Sequence, residues 1–165
     1  MDTPTIIEET VKNHAAALTL YARQFFEKGS FHAAEEVVQE VFHRLSRQPT
    51  LPENMTAWLY TAVRNGAIAA ARSDKRRQRR ETIQCQEASR QPPLFQPDEE
   101  SPVDTEKIAL CLAKLGREER EIVTLHLWSD LPFSEIASLL GKPKTTVYRQ
   151  YKEALEVLRG MLEER

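Results

Sequence analysis

Along the first half of the chain, apolar residues return at steps of three and four, the spacing of one face of an α-helix. Ile7, Val11, His14, Leu18, Ala22 and Phe25 form a first stripe, which Gly29 is placed to stop. A second stripe is Ala34, Val37, Val38, Val41, Phe42 and Leu45, ended by Pro49 and Pro52. Asn54 is a good N-cap; after it Met55, Trp58, Leu59, Ala62 and Val63 open a third helix that runs through an Ala-rich turn into Arg72–Arg80. The pattern resumes later with Ile108, Cys111, Leu112 and Leu115 up to Gly116, then with Ile122, Val123, Leu125, His126 and Leu127 up to about Ser129. Phe133, Ile136, Ala137 and Leu140 make a helix of barely two turns closed by Gly141. The last helix starts near Pro143, where a missing N–H costs nothing, and turns Val147, Tyr151, Ala154, Leu155, Leu158 and Leu162 inward. No segment alternates like a strand. The fold class is all-α.

Residues 91–106, QPPLFQPDEESPVDTE, interrupt the pattern with four prolines and five acids and leave little apolar material to bury. They read as an acidic, Pro-rich linker between two small helical domains, residues 1–90 and 107–165. Domains of this size depend on compact helical cores. Within the second, four-helix domain, the short helix, the turn at Gly141 and the longer helix make a helix-turn-helix pattern.

Composition sharpens this picture in one respect. Of 165 residues 29% are charged, yet the formal net charge is only −2. That total hides a segregation: residues 54–90 hold eight basic and three acidic side chains, residues 91–106 five acidic and none basic. Separated blocks of this kind point to a polyanion-binding face. No apolar run is long enough to span a bilayer and no signal layout opens the chain, so a soluble, cytoplasmic protein is expected.

Enzymatic chemistry finds little support. Cys85 and Cys111 form no CxxC pair, His14, His32, His43 and His126 are scattered singly, and no phosphate-cradling glycine motif occurs. No metal, no cofactor and no catalytic residue are expected. The candidate chemistry is recognition. If the second helix of the helix-turn-helix entered a major groove, its outward residues would be Lys144, Thr145, Tyr148, Arg149 and Lys152. Arg149 offers a donor fork for guanine, and the ammonium and hydroxyl groups suit phosphates or base edges. The basic run RSDKRRQRR (Arg72–Arg80) supplies sequence-independent phosphate affinity, next to Trp58, Tyr60, Arg64 and Asn65, whose rings and amide could receive unstacked bases.

On these residues the chain resembles the extracytoplasmic-function sigma factors, the smallest class of the sigma-70 family of bacterial RNA polymerase, across nearly its whole length. AEEVVQEVFHRL (Ala34–Leu45) is similar to the segment that grips core polymerase. AWLYTAVRN (Ala57–Asn65) with IAAAR (Ile68–Arg72) resembles the −10 segment, and LGREEREIVTLHLWSDLPFSEIASLL with TVYRQYKEALEVLR the C-terminal module. The resemblance implies that Glu36, Gln39, Glu40 and Phe42 contact core RNA polymerase. It also implies that Tyr60, Arg64, Asn65, Ile68, Arg72, Arg76 and Arg77 lie near the −10 element, with Trp58 in the core, and that the helix from Pro143 enters the −35 major groove. The tether would thread toward the RNA exit path, the protein would work as a monomer in the holoenzyme, and an anti-sigma factor is a further partner such proteins take. Departures from the family pattern are Glu36, Ala69, Arg149 and Glu153; the last two should change −35 preference. The rival readings are a stand-alone helix-turn-helix regulator, which would be a dimer on palindromic sites, and a helical adaptor without DNA affinity.

Overall fold

A computed structural model of the chain describes residues 3–26, 31–81 and 105–163, and these form helices and the turns between them. The chain divides into two compact units, Met1–Leu94 and Phe95–Arg165. Gly29, Cys85 and residues 91–104 of the expected linker lie outside the described residues.

The first unit is built from α1 (Thr3–Arg23), α2 (Phe31–Ser46) and α3 (Met55–Glu81). α1 stops at Arg23, short of Gly29, because two tight turns follow: the Phe25 amide donates to Ala22 O at 3.1 Å and the Phe26 amide to Arg23 O at 3.2 Å. These turns carry both phenylalanines into the core beside Leu18, Tyr21, Leu45, Leu59 and Val63. Tyr21 is the hub. Its ring meets Phe25 edge-on at 5.4 Å and Tyr60 at 5.1 Å, contacts of roughly 0.5–1.5 kcal/mol each beyond their area burial. α3 starts where expected, the Ala57 amide donating to the Asn54 side-chain oxygen at 3.0 Å. Midway along α3, Gly66 lets α2 come close: a Cβ there would sit 3.0 Å from Val37 Cγ1. The glycine costs about 1 kcal/mol of helix propensity, which the close approach offsets.

The second unit is built from α4 (Thr105–Lys114), α5 (Arg117–Ser129), α6 (Phe133–Leu140) and α7 (Lys144–Glu163). α4 begins two residues inside the expected linker. Arg120 of α5 donates to Ala113 O and Leu115 O, satisfying carbonyls at the end of α4. The Gly116 amide donates to Glu119 Oε2 at 3.1 Å, half of a capping box. A small core of Leu115, Val123 and Ala154 joins the unit, with Leu112, Tyr151 and Leu158 packed on it. Two apolar residues expected to face inward do not: Leu127 is 53% exposed and Leu162 44%. Each lies at the margin of its stripe, past the arc that neighbouring helices cover.

Candidate nucleic-acid interface

The turn between α6 and α7 is specified locally. Gly141 takes a left-handed conformation (φ 64°, ψ 35°), the Lys142 amide donates to Ala137 O at 2.9 Å and the Gly141 amide to Ser138 O at 3.3 Å. This pair of bonds is the glycine-closed helix end known as the Schellman motif. Pro143 follows, and its carbonyl accepts from the Thr146 and Val147 amides at 3.0 and 3.1 Å, starting α7 at once.

Three side-chain devices then hold α7 against the rest of its unit. An aromatic cluster is the first: His126 of α5 stacks on Phe133 of α6 at 4.3 Å, and Tyr151 of α7 meets both rings edge-on at 4.9 and 5.0 Å. His126 Nδ1 lies 3.0 Å from Leu131 O, and because a carbonyl only accepts, the proton sits on Nδ1. A second device crosses from α5 to the turn: Lys142 Nζ donates to Glu118 Oε2 at 2.6 Å, and Gln150 Nε2 approaches the same oxygen at 3.4 Å. The Lys142 hydrogen bond, followed by its charge, holds the Glu118 carboxyl below the usual carboxylate range. The third is Val147 and Ala154, fully buried on the inner face of α7.

With the inner face so fixed, the outer face follows from helical geometry. Lys144, Thr145, Tyr148, Arg149 and Lys152 are all exposed, as their spacing required. Tyr148 is 49% exposed, braced by an edge contact to Phe133 at 5.4 Å, and Lys152 Nζ lies 5.8 Å above its ring. The first turn of α7 carries no acid, so the partial positive charge of the helix N-terminus is unopposed. Chemically this is a rigid, cationic helix end with one guanidinium, two ammonium groups, a phenol and a hydroxyl, the set that reads base edges and phosphates in a major groove.

On α3 the sequence-based assignment needs correcting. Tyr60 is 1% exposed and packed on Tyr21, so it is a core residue and cannot receive a base. Trp58, expected in the core, is instead half-buried. α3 packs on both α1 and α2, and Tyr60 lies on the covered side, against Tyr21 of α1. Asn65, Arg72, Arg76 and Arg77 are exposed, and Arg64 and Ile68 are half-buried. Arg77 lies 3.8 Å from Asp74. The exposed stripe Thr61, Asn65, Ala69, Arg72, Arg76 and Arg79 follows steps of three and four, so Thr61 belongs with the candidate set. Counting back four from Asn65 would have found it. On α2, Glu36, Gln39 and Glu40 are exposed along one face, with His32 Nε2 3.2 Å from Glu36. Phe42 is 9% exposed and packs inward, so its place is in the core rather than on a contact face.

Among the described residues no group of three or more His, Cys, Asp or Glu side chains could hold a metal ion, and no helix is long and apolar enough to cross a membrane. Cys111 is buried on α4.

Comparison with known proteins follows this division. Residues 10–77 match the family described as Sigma-70 region 2, and residues 105–158 the family described as Sigma-70, region 4. The ECF RNA polymerase sigma factor SigL of Mycobacterium tuberculosis is 31% identical over 156 residues, covering 92% of this chain and 85% of SigL. The ECF RNA polymerase sigma factor EcfG of Rhodopseudomonas palustris is 28% identical over 153 residues, covering 90% of this chain and 81% of EcfG. In structure, the sigma factor RpoE of Bartonella quintana, solved in complex with the anti-sigma factor NepR, superposes with a TM-score of 0.70 at 17% identity, covering 96% of this chain and 98% of that one. CnrH, solved with the cytosolic domain of CnrY, gives 0.58 at 20% identity, covering 98% and 90%. At these identities the structural likeness speaks for the fold.

Proposed function

The chain belongs to the extracytoplasmic-function sigma factors of the sigma-70 family, which direct RNA polymerase to promoters, and we propose that its described surfaces divide that work. The exposed acids and amide of α2 (Glu36, Gln39, Glu40) dock on core polymerase, where carboxylates suit a basic partner surface. The α3 stripe from Thr61 to Arg79, flanked by Trp58, meets the −10 element: arginines hold phosphates while the indole edge and Asn65 serve an unstacked base. α7 enters the major groove of the −35 element through Lys144, Thr145, Tyr148, Arg149 and Lys152.

The observation that carries this reading is the rigid mounting of α7. Its inner face is locked by Val147 and Ala154 and its start by the Gly141 turn, so Lys144, Thr145, Tyr148, Arg149 and Lys152 are all presented outward and exposed. A surface so exposed and so firmly held suits recognition. Specificity is supplied by this chain and the chemistry of RNA synthesis by the polymerase, which implies no enzymatic activity here and a cytoplasmic place of work. The acidic, Pro-rich segment 91–104 sets which spacings of the two elements can be reached together. The stand-alone regulator reading loses its ground because residues 10–77 match a sigma region rather than a dimerisation or sensor module. RpoE is held by an anti-sigma factor, and a comparable partner here would find apolar anchors in Leu127, Trp128, Val157 and Leu162.

The test is reconstitution. Full-length protein mixed with core polymerase should co-elute as a complex of one copy each and start transcription from asymmetric promoters with two spaced elements. Dimers bound to palindromes without polymerase would overturn the reading.

A further inference from the structure

Glu153 is out of place on a DNA-facing helix. It is exposed, one turn beyond Arg149 and beside Lys152, where a carboxylate close to phosphates repels them. Helix stability does not explain it. An Arg-to-Glu pair in this order, with the acid C-terminal, is the weaker orientation, and an exposed pair of this kind contributes only a few tenths of a kcal/mol. The geometry offers another account. Side chains on a helix lean toward its N-terminus, and Glu153 Oε1 reaches back to 3.8 Å from Arg149 Nε. That places the carboxylate beside Nε, at ion-pair rather than hydrogen-bond distance. A bidentate guanine contact needs a guanidinium fork kept in one pose.

Resting on the assignment of α7 to the −35 element, we infer that Glu153 is a specificity-determining residue that acts through Arg149. It orients the guanidinium for a base edge, and its charge penalises the alternative in which Arg149 swings onto a phosphate. Without it, Arg149 becomes a sequence-blind cation. The device is both attractive and repulsive, which is how discrimination between similar sites is built.

The experiment uses holoenzyme reconstituted with core polymerase and measures affinity for promoter fragments carrying each base at every −35 position, over a range of salt. Glu153→Gln preserves size and exposure. It should reduce the preference for guanine at one position by roughly twofold, the scale of an exposed i,i+4 ion pair acting on that contact. It should also raise affinity for non-promoter DNA and steepen the salt slope by about 0.9, the signature of one further phosphate neutralised. In an Arg149→Ala background, Glu153→Gln should leave base preference unchanged. Should Arg149→Ala abolish a guanine preference that Glu153→Gln leaves intact, or should the Gln variant change preference equally in both backgrounds, Glu153 does not act through Arg149. Should Arg149→Ala itself leave every base preference unaltered, the assignment of α7 falls as well.

Discussion

Replacing glycine by alanine at two positions of the second unit should move stability in opposite directions. At Gly141 there is open space for a methyl group, nothing lying within 4 Å of an added Cβ, but the backbone is left-handed at φ 64°. A non-glycine residue there meets its own carbonyl at a cost of roughly 1–2 kcal/mol, reduced somewhat because alanine also restricts the unfolded chain. Gly141→Ala should therefore cost about 1 kcal/mol. Gly160 also has open space, yet it lies within α7 in helical backbone, so Gly160→Ala should stabilise by up to about 1 kcal/mol. For a domain of this size each change corresponds to a shift of about 4–8 °C in Tm. Trp58 and Trp128 lie in different units, so in a Trp58→Phe background the fluorescence of Trp128 follows the second unit alone. Asparagine tolerates the left-handed region, so Gly141→Asn should fall between wild type and alanine. Two alanine variants shifting in the same direction would refute the assignment of the turn. So would an asparagine variant no better than alanine.

Three further outcomes are expected. Tyr60→Ala should destabilise the first unit by about 3–5 kcal/mol in chemical denaturation, while Trp58→Ala should cost less and instead impair promoter opening, read by permanganate reactivity of the melted strand. Replacing Arg72, Arg76 and Arg79 together by Gln should flatten the salt dependence of holoenzyme binding by about 0.7–0.9 for each phosphate no longer neutralised; an unchanged slope would remove the α3 stripe from the DNA. Because Lys142 lowers the Glu118 carboxyl, their bond contributes stability above the unfolded carboxylate range and loses it as pH falls from there through the lower folded value. Glu118 is exposed, so Glu118→Gln should cost under about 1 kcal/mol at neutral pH and nothing in acid, measured by paired thermal melts.

What could be read from the chain and what could not divide along a physical line. Helix faces were legible wherever one neighbouring surface covers them: the stripe of α6, that of α7 as far as Leu158, the Asn54 cap and the Gly141 turn all depend on residues within a few positions of one another. The five outward residues of α7 were legible for the same reason, since a buried inner face leaves only one outer face. Family resemblance added the order of the three motifs and, with it, the function.

Tertiary structure alone decided the rest. Whether Tyr60 or Trp58 faces solvent depends on where α1 and α2 cross α3, and period alone cannot say how wide an arc two neighbours cover. The bond from Lys142 to Glu118 spans 24 residues, and nothing local distinguishes that lysine from one that binds phosphate. Val37 against Gly66 is likewise a matter of two helices meeting. Local chemistry follows from neighbours in sequence, whereas burial and long-range pairing follow from neighbours in space.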